Sequence, residues 1–184
     1  MTNTKQNIIQ TAEKLFAQQG FESTSMRQIA QEVNMSKANL YHHFSSKRDL
    51  LSEIIETAFE TYKYEIENIV DKNKKPKQRL KSAIVSYFDF CEEKKNLVQL
   101  LAREDIKRNR EVKELVMEIE HKVRELWKSL LDELDLSSEC DLNIITDLFM
   151  SMVDSIVIKK FVLECKKVEA DSDKIADHIL YLLD

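Results

Sequence analysis

The sequence predicts an all-α protein of about nine helices, and three observations carry that expectation. Across 184 residues Gly and Pro occur once each, as Gly20 and Pro76, so the tight turns of a β-protein lack their usual residues. Apolar side chains recur at three- and four-residue spacing in one segment after another. Ser or Asp stands at the start of most of those segments, where a helix needs a side-chain oxygen to satisfy its free amides. With 43% hydrophobic and 33% charged residues, the chain can bury a core and is expected to be globular.

The first helix is expected over residues 5–19, with Ile8, Ile9, Ala12, Leu15 and Phe16 on one stripe. Gly20 follows at the position where a left-handed backbone ends a helix. Ser25-Met-Arg-Gln28 fits a capping box and opens a second helix with Met26, Ile29, Ala30 and Val33 inside. A tight turn at Asn34-Met35 precedes a third helix capped by Ser36, with Met35 and Leu40 placed as a hydrophobic staple. Ser46 and Asp49 open a longer fourth helix carrying Leu50, Leu51, Ile54, Ile55, Ala58 and Phe59. Pro76 suits the first position of the next helix, which carries Leu80, Ile84, Phe88 and Cys91. A short piece at residues 97–102 follows, then a clean stripe over 110–134 that includes Val112, Leu115, Val123, Trp127 and Leu130. Residues 138–141 read as another cap. The segment 144–163 beyond it is apolar on most of its circumference, the mark of a helix covered on two sides. Asp171 opens a last amphipathic helix with Ile175, Ile179, Leu180, Leu182 and Leu183. No internal repeat or low-complexity segment is evident.

The third helix is unusual. Within "MSKANLYHHF" only Leu40 and Phe44 fall squarely on a core stripe, while Lys37, Ala38, Asn39, Tyr41 and His42 lie on other faces. A short helix held by two anchors and displaying polar groups outward is the physical description of a recognition helix in a helix-turn-helix. Zinc is a poor alternative, because adjacent His42 and His43 diverge on a helix and no further ligands lie nearby in the sequence. Lys47 and Arg27 each sit near a helix start, where free amides and the helix dipole also attract phosphate. Thr24 and Ser25 either cap only, or cap and also touch phosphate; Asn39 either reads an adenine edge or holds a polar surface.

The net charge of −5 argues at first against a polyanionic partner. Its distribution qualifies that: residues 1–50 hold six Lys or Arg and four acids, +2, leaving −7 for the remainder. Local charge decides where a polyanion docks. No stretch approaches the ~18 apolar residues of a membrane span, and the N-terminus lacks the apolar core of a signal peptide, so a cytoplasmic protein without membrane partners is expected. Cys91, Cys140 and Cys165 are odd in number and widely spaced, which suits free thiols or, less simply, a redox sensor. The sequence holds no glycine-rich phosphate loop, nucleophile motif or paired carboxylates that point to catalysis, and no cofactor is implied. A helical protein-interaction module without DNA binding is the competing class; it accounts for the C-terminal two-thirds but not for the first fifty residues.

The order Ala12, Leu15, Phe16, Gly20, Phe21, Thr24-Ser25, Ile29-Ala30, Val33, Ser36-Lys37, Leu40-Tyr41, Phe44, Lys47 and Leu50-Leu51 resembles the DNA-binding region of the TetR family of bacterial transcriptional regulators. The likeness covers residues 5–52; beyond it only helix count and hydropathy agree. Ala38 departs from the glycine common there, yet stays small enough for close approach to DNA. The resemblance implies a homodimeric, all-helical regulator, a repressor by the family's habit. A helix-turn-helix domain over 1–50 would bind operator DNA, and a helical domain over 51–184 would hold a small-molecule effector and the dimer interface. Thr24, Ser25, Arg27, Ser36, Lys37, Ala38, Asn39, Tyr41, His42 and Lys47 are then the DNA-contact candidates.

The C-terminal part shows an apolar surplus. Tyr87, Phe88, Phe90, Leu97, Leu100, Leu101, Met117 and Trp127 exceed what one seam between two helices buries, which points to a concave, largely apolar pocket. Tyr87, Phe88, Phe90, Cys91, Leu101, Met117, Trp127, Met150 and Asp154 are its candidate lining, with core packing the stronger role for Phe88. Asp154, on a greasy helix, is either a hydrogen-bonded interface residue or a pocket residue facing a polar or cationic effector. A cationic amphiphile, with Asp89 or Asp154 as counter-charge, and a fatty or acyl compound are equally open. Helices over 141–165 and 171–183 are expected to pair with a second copy, because the first is too apolar to face water on either side.

Overall fold

The computed structural model describes residues 4–69, 74–103, 110–134, 136, 141–165 and 171–182. Among these there are nine α-helices and no strand: α1 (Thr4–Gln19), α2 (Met26–Glu32), α3 (Lys37–His43), α4 (Lys47–Ile69), α5 (Pro76–Glu93), α6 (Lys95–Leu101), α7 (Arg110–Leu131), α8 (Leu142–Val157) and α9 (Ser172–Tyr181). A π-helical turn, Ile158–Val162, continues α8. Packing divides the chain into two units, residues 1–58 with 95–119, and residues 59–94 with 120–184. Cys140 and Leu183, named above, and residues 138–140 of the expected cap lie outside the described residues.

In the first unit the local signals act as their chemistry requires. Gly20 ends α1 with φ 94° and its amide donates to the Phe16 carbonyl at 2.9 Å. Ser25 and Gln28 form the reciprocal capping box at the start of α2. The exit from α2 is a Schellman turn. Asn34, at φ 54°, donates to Gln31, and Met35 donates back to Ala30 at 2.8 Å. Asparagine takes the left-handed position that glycine usually fills, which it tolerates better than other residues with a Cβ. Ser36 then caps α3 by accepting from the Asn39 amide at 3.1 Å, and Ser46 caps α4 by accepting from Asp49 at 3.0 Å. Ile8, Ala12 and Phe16 of α1, Ile29 and Ala30 of α2, Leu40 of α3 and Leu50, Leu51, Ile54 and Ile55 of α4 form the buried core, and α6 packs against α1.

In the second unit α5 lies against α9, and Lys81 pairs with Asp177 at 2.6 Å across that seam. Arg79 of α5 bonds Glu133 just beyond α7, and Arg124 of α7 bonds Asp147 of α8 at 2.8 Å. The continuous helix expected over 144–163 is interrupted. Leu163 donates to Ile158 rather than to Lys159, a bond one residue longer than the α-helical one. The reason lies in the stripe Thr146, Phe149, Val153 and Val157, all buried. At the α-helical step of about 100° per residue the stripe would leave Phe161 rotated toward its edge; one wider turn returns it to the buried side. No helix among the described residues is long and apolar enough to cross a membrane.

Candidate functional site

The first unit presents α3 as a display. Leu40 and Phe44 are buried, while Lys37, Ala38, Asn39, Tyr41, His42 and His43 are all exposed. The Lys37 ammonium lies 5.5 Å from the centre of the Tyr41 ring one turn on, so both side chains are held to one face. Ser36 is committed to its cap, and Arg27 is exposed on the first turn of α2. The rings of His42 and His43 stand 6.1 Å apart at 70°, and no group of three His, Cys, Asp or Glu able to hold a metal occurs among the described residues.

Two candidates take positions that spacing alone did not reveal. Thr24 is only 1% exposed: its hydroxyl donates inward to the Gly20 carbonyl at 2.8 Å. That side chain secures the turn after α1 and does not face solvent. Ser25, beside it, is exposed while capping. Lys47 donates to the carbonyls of Phe21 at 2.6 Å and Glu22 at 3.2 Å, and its ammonium sits 4.4 Å from the Phe21 ring centre. Two of its three N–H groups therefore tie the start of α4 to the loop before α2.

The second unit gathers an aromatic cluster. Trp127 of α7 lies 5.0 Å from Phe149 of α8 and 5.8 Å from Tyr87 of α5, by ring centres. Tyr62 of α4 stands 5.4 Å from Tyr87, 5.3 Å from Phe90 and 6.4 Å from Trp127. Polar groups thread the cluster. The Tyr87 hydroxyl interacts with both Cys91 and Asp154, and burial pushes the Cys91 thiol up to about 12. Asp154 is exposed along its outer edge, yet its carboxyl turns toward Tyr87; lost hydration first, and then Glu120, raise it to about 6. Among the described residues the buried Tyr62 hydroxyl has no hydrogen-bond partner.

Of the predicted pocket residues, Tyr87, Phe90, Cys91, Trp127 and Asp154 come together here. Phe88 is fully buried, Met150 is half-buried on α8, and Leu101 and Met117 belong to the first unit. Asp89 is exposed and accepts from Ser172 at 2.8 Å, beside a shallow cavity of about 340 Å³ lined by Lys81, Ser82, Val85, Ser86 and Asp173. Tyr62 and Phe149 were missed. Tyr62 continues the α4 stripe of Leu51, Ile55 and Phe59, and that stripe was followed only to Phe59.

The chain resembles known proteins in sequence and in fold. A family profile described as "Bacterial regulatory proteins, tetR family" matches residues 8–54. The chain is 34% identical over 134 residues to the uncharacterized HTH-type transcriptional regulator YerO of Bacillus subtilis, covering 71% of this chain and 46% of YerO. The chain thus spans less than half the length of that relative. Among solved structures, the fatty acid degradation regulator FadR of Bacillus halodurans superposes with TM-score 0.85 over 100% of this chain and 95% of its own, at 17% identity. FadR of Bacillus subtilis, in complex with stearoyl-CoA, gives 0.80 over 97% and 96%, at 18% identity. At such identities the likeness is one of fold.

Proposed function

The chain belongs to the TetR family of bacterial regulatory proteins, and from that premise we propose that it is a sequence-specific, DNA-binding transcriptional regulator of the cytoplasm, not an enzyme. It acts as a homodimeric repressor, released from a double-stranded operator by a small, mostly apolar effector. Residues 1–50 form the DNA-binding domain, and residues 51–184 the effector-binding and dimerisation domain. The observation that carries this reading is α3: a short helix anchored by Leu40 and Phe44, with every other side chain from Lys37 to His43 exposed. Such a helix fits a major groove.

Within that reading Lys37, Tyr41, Arg27, Ser25 and Lys47 position the phosphate backbone, while Asn39 and His42 read base edges across the gap that the small Ala38 leaves. The effector takes the aromatic cluster of the second unit. One helix, α4, carries a residue of each site, Lys47 and Tyr62. A ligand that shifts α4 would couple effector and operator binding reciprocally, by about 1–3 kcal/mol.

A gel shift on the DNA upstream of the protein's own gene separates this reading from a helical interaction module: specific, salt-sensitive retardation is expected, and its absence refutes DNA binding. Asn39→Ala and His42→Ala should change the sequences recovered in a binding-site selection as well as weaken binding. Unchanged preference would remove base reading from both residues.

A further inference from the structure

We propose that the aromatic cluster around Trp127 takes an organic cation with an apolar body, held against the Asp154 carboxylate. This rests on the cluster being the effector site and names the chemical class that the site selects.

The rings supply the first argument. Tyr62 meets Tyr87 at 63° and Tyr87 meets Trp127 at 88°, both edge-to-face. Each such pair sets the positive edge of one ring on the negative face of the next. A cation entering the cluster takes the place now held by a ring edge and satisfies the same faces more strongly. An anion meets those faces with the wrong sign.

The charged groups supply the second. Among the described residues Asp154 is in no ion pair, and the charged side chain acting on it is another acid, Glu120 of α7. Its interaction with Tyr87 only partly offsets the lost hydration. Among the described residues Lys160 of the π-helical turn is engaged elsewhere; it lies 3.8 Å from Glu92 and 5.2 Å from the Phe161 ring centre, and acts on Cys91. Among the described residues the carboxylate thus lacks a counter-charge, and a ligand cation supplies it. The third observation is the Tyr62 hydroxyl, buried inside the same ring cluster with no hydrogen-bond partner among the described residues, whose oxygen can accept from an N–H on such a ligand.

Trp127 is the only tryptophan, so its fluorescence reports the site in the full-length protein. Titration at about pH 8, where Asp154 is ionised, uses tetraphenylphosphonium and tetraphenylborate, which share a shape and differ in charge. The phosphonium is expected to quench Trp127 and bind about tenfold or more tightly than the borate, with Asp154→Asn abolishing that preference. Equal or tighter borate binding, or a preference that survives in Asp154→Asn, overturns the proposal. Operator gel shifts under the same conditions separate it from the functional reading. Phosphonium binding that depends on Asp154 but leaves operator affinity unchanged supports the cation site and refutes its role as effector site. Release by stearoyl-CoA, with the phosphonium silent, overturns the cation class and leaves the regulator standing.

Discussion

Lys47 has a structural occupation as well as a proposed one. Two of its donors hold the carbonyls of Phe21 and Glu22, which leaves one for a phosphate oxygen. Lys47→Ala is expected to weaken operator binding across all sequences and to lower the salt slope by about one. Loss of the tie should also cost about 1 kcal/mol of stability in urea unfolding. Lost affinity with an unchanged slope would assign Lys47 to the loop alone. Asp154 makes a second residue-scale prediction. Its folded value, about 6, stands above the ordinary 3.8, so the native state holds the proton more tightly than the unfolded chain. The stability linked to that proton is complete below about pH 4 and is lost as pH rises through about 6. In a closed interior such a shift corresponds to about 3 kcal/mol, but water at the open edge of Asp154 screens it to about 1 kcal/mol. Asp154→Asn, neutral throughout, should therefore melt higher than the parent at neutral pH and converge with it near pH 4. A parallel pair of melting curves would contradict this.

At the scale of the element, the α2–α3 connection shows how few residues define a helix-turn-helix. Asn34 carries the left-handed turn, Met35 closes it onto Ala30, and Ser36 starts the next helix at once. The angle between the two helices is thus set within three residues. Asn34→Ala retains the size of a small side chain but loses the asparagine's tolerance of positive φ, and should cost about 1 kcal/mol; Asn34→Gly should cost none. Equilibrium unfolding of the two variants checks this, and equal stabilities would show that the turn carries no strain. The π-helical turn teaches the converse. No residue in Ile158–Val162 announces it; it arises because Phe161 is drawn back to a buried stripe that Val157 ends.

At the scale of the whole molecule, the proposed dimer is motivated by exposed apolar side chains of the second unit. Along α8, Ile144 is 58% and Leu148 64% exposed, with Ile158 of the π turn on the same side, while Tyr181 at the end of α9 is 78% exposed and Leu182 just beyond it 70%. Large apolar side chains left exposed on these elements are a liability in a monomer. A two-fold contact between copies would cover them and would pair two α3 helices on a near-palindromic operator, with half-sites about one helical turn or a simple multiple apart. Light scattering at micromolar concentration should return a dimer mass, and Leu148→Asp should return a monomer with greatly weakened operator binding. A parent protein of monomer mass would refute the arrangement, as would a minimal operator without inverted symmetry.

What the sequence by itself determined is local. Gly20 after α1, the Ser25–Gln28 box, the Ser36, Ser46, Asp141 and Asp171 caps and Pro76 at the head of α5 act over one turn, so they were legible as letters in order. The exposed face of α3 was legible for the same reason, because two apolar residues four apart leave every other direction free. Tertiary structure alone decided what depends on distant partners. Thr24 turned inward, and Lys47 found carbonyls more than twenty residues away. The apolar surplus of the C-terminal part was visible as an amount, but an amount does not say which helices meet. Tyr62 and Phe149 joined Trp127 because helix faces select neighbours by long-range packing that no short stretch of sequence encodes.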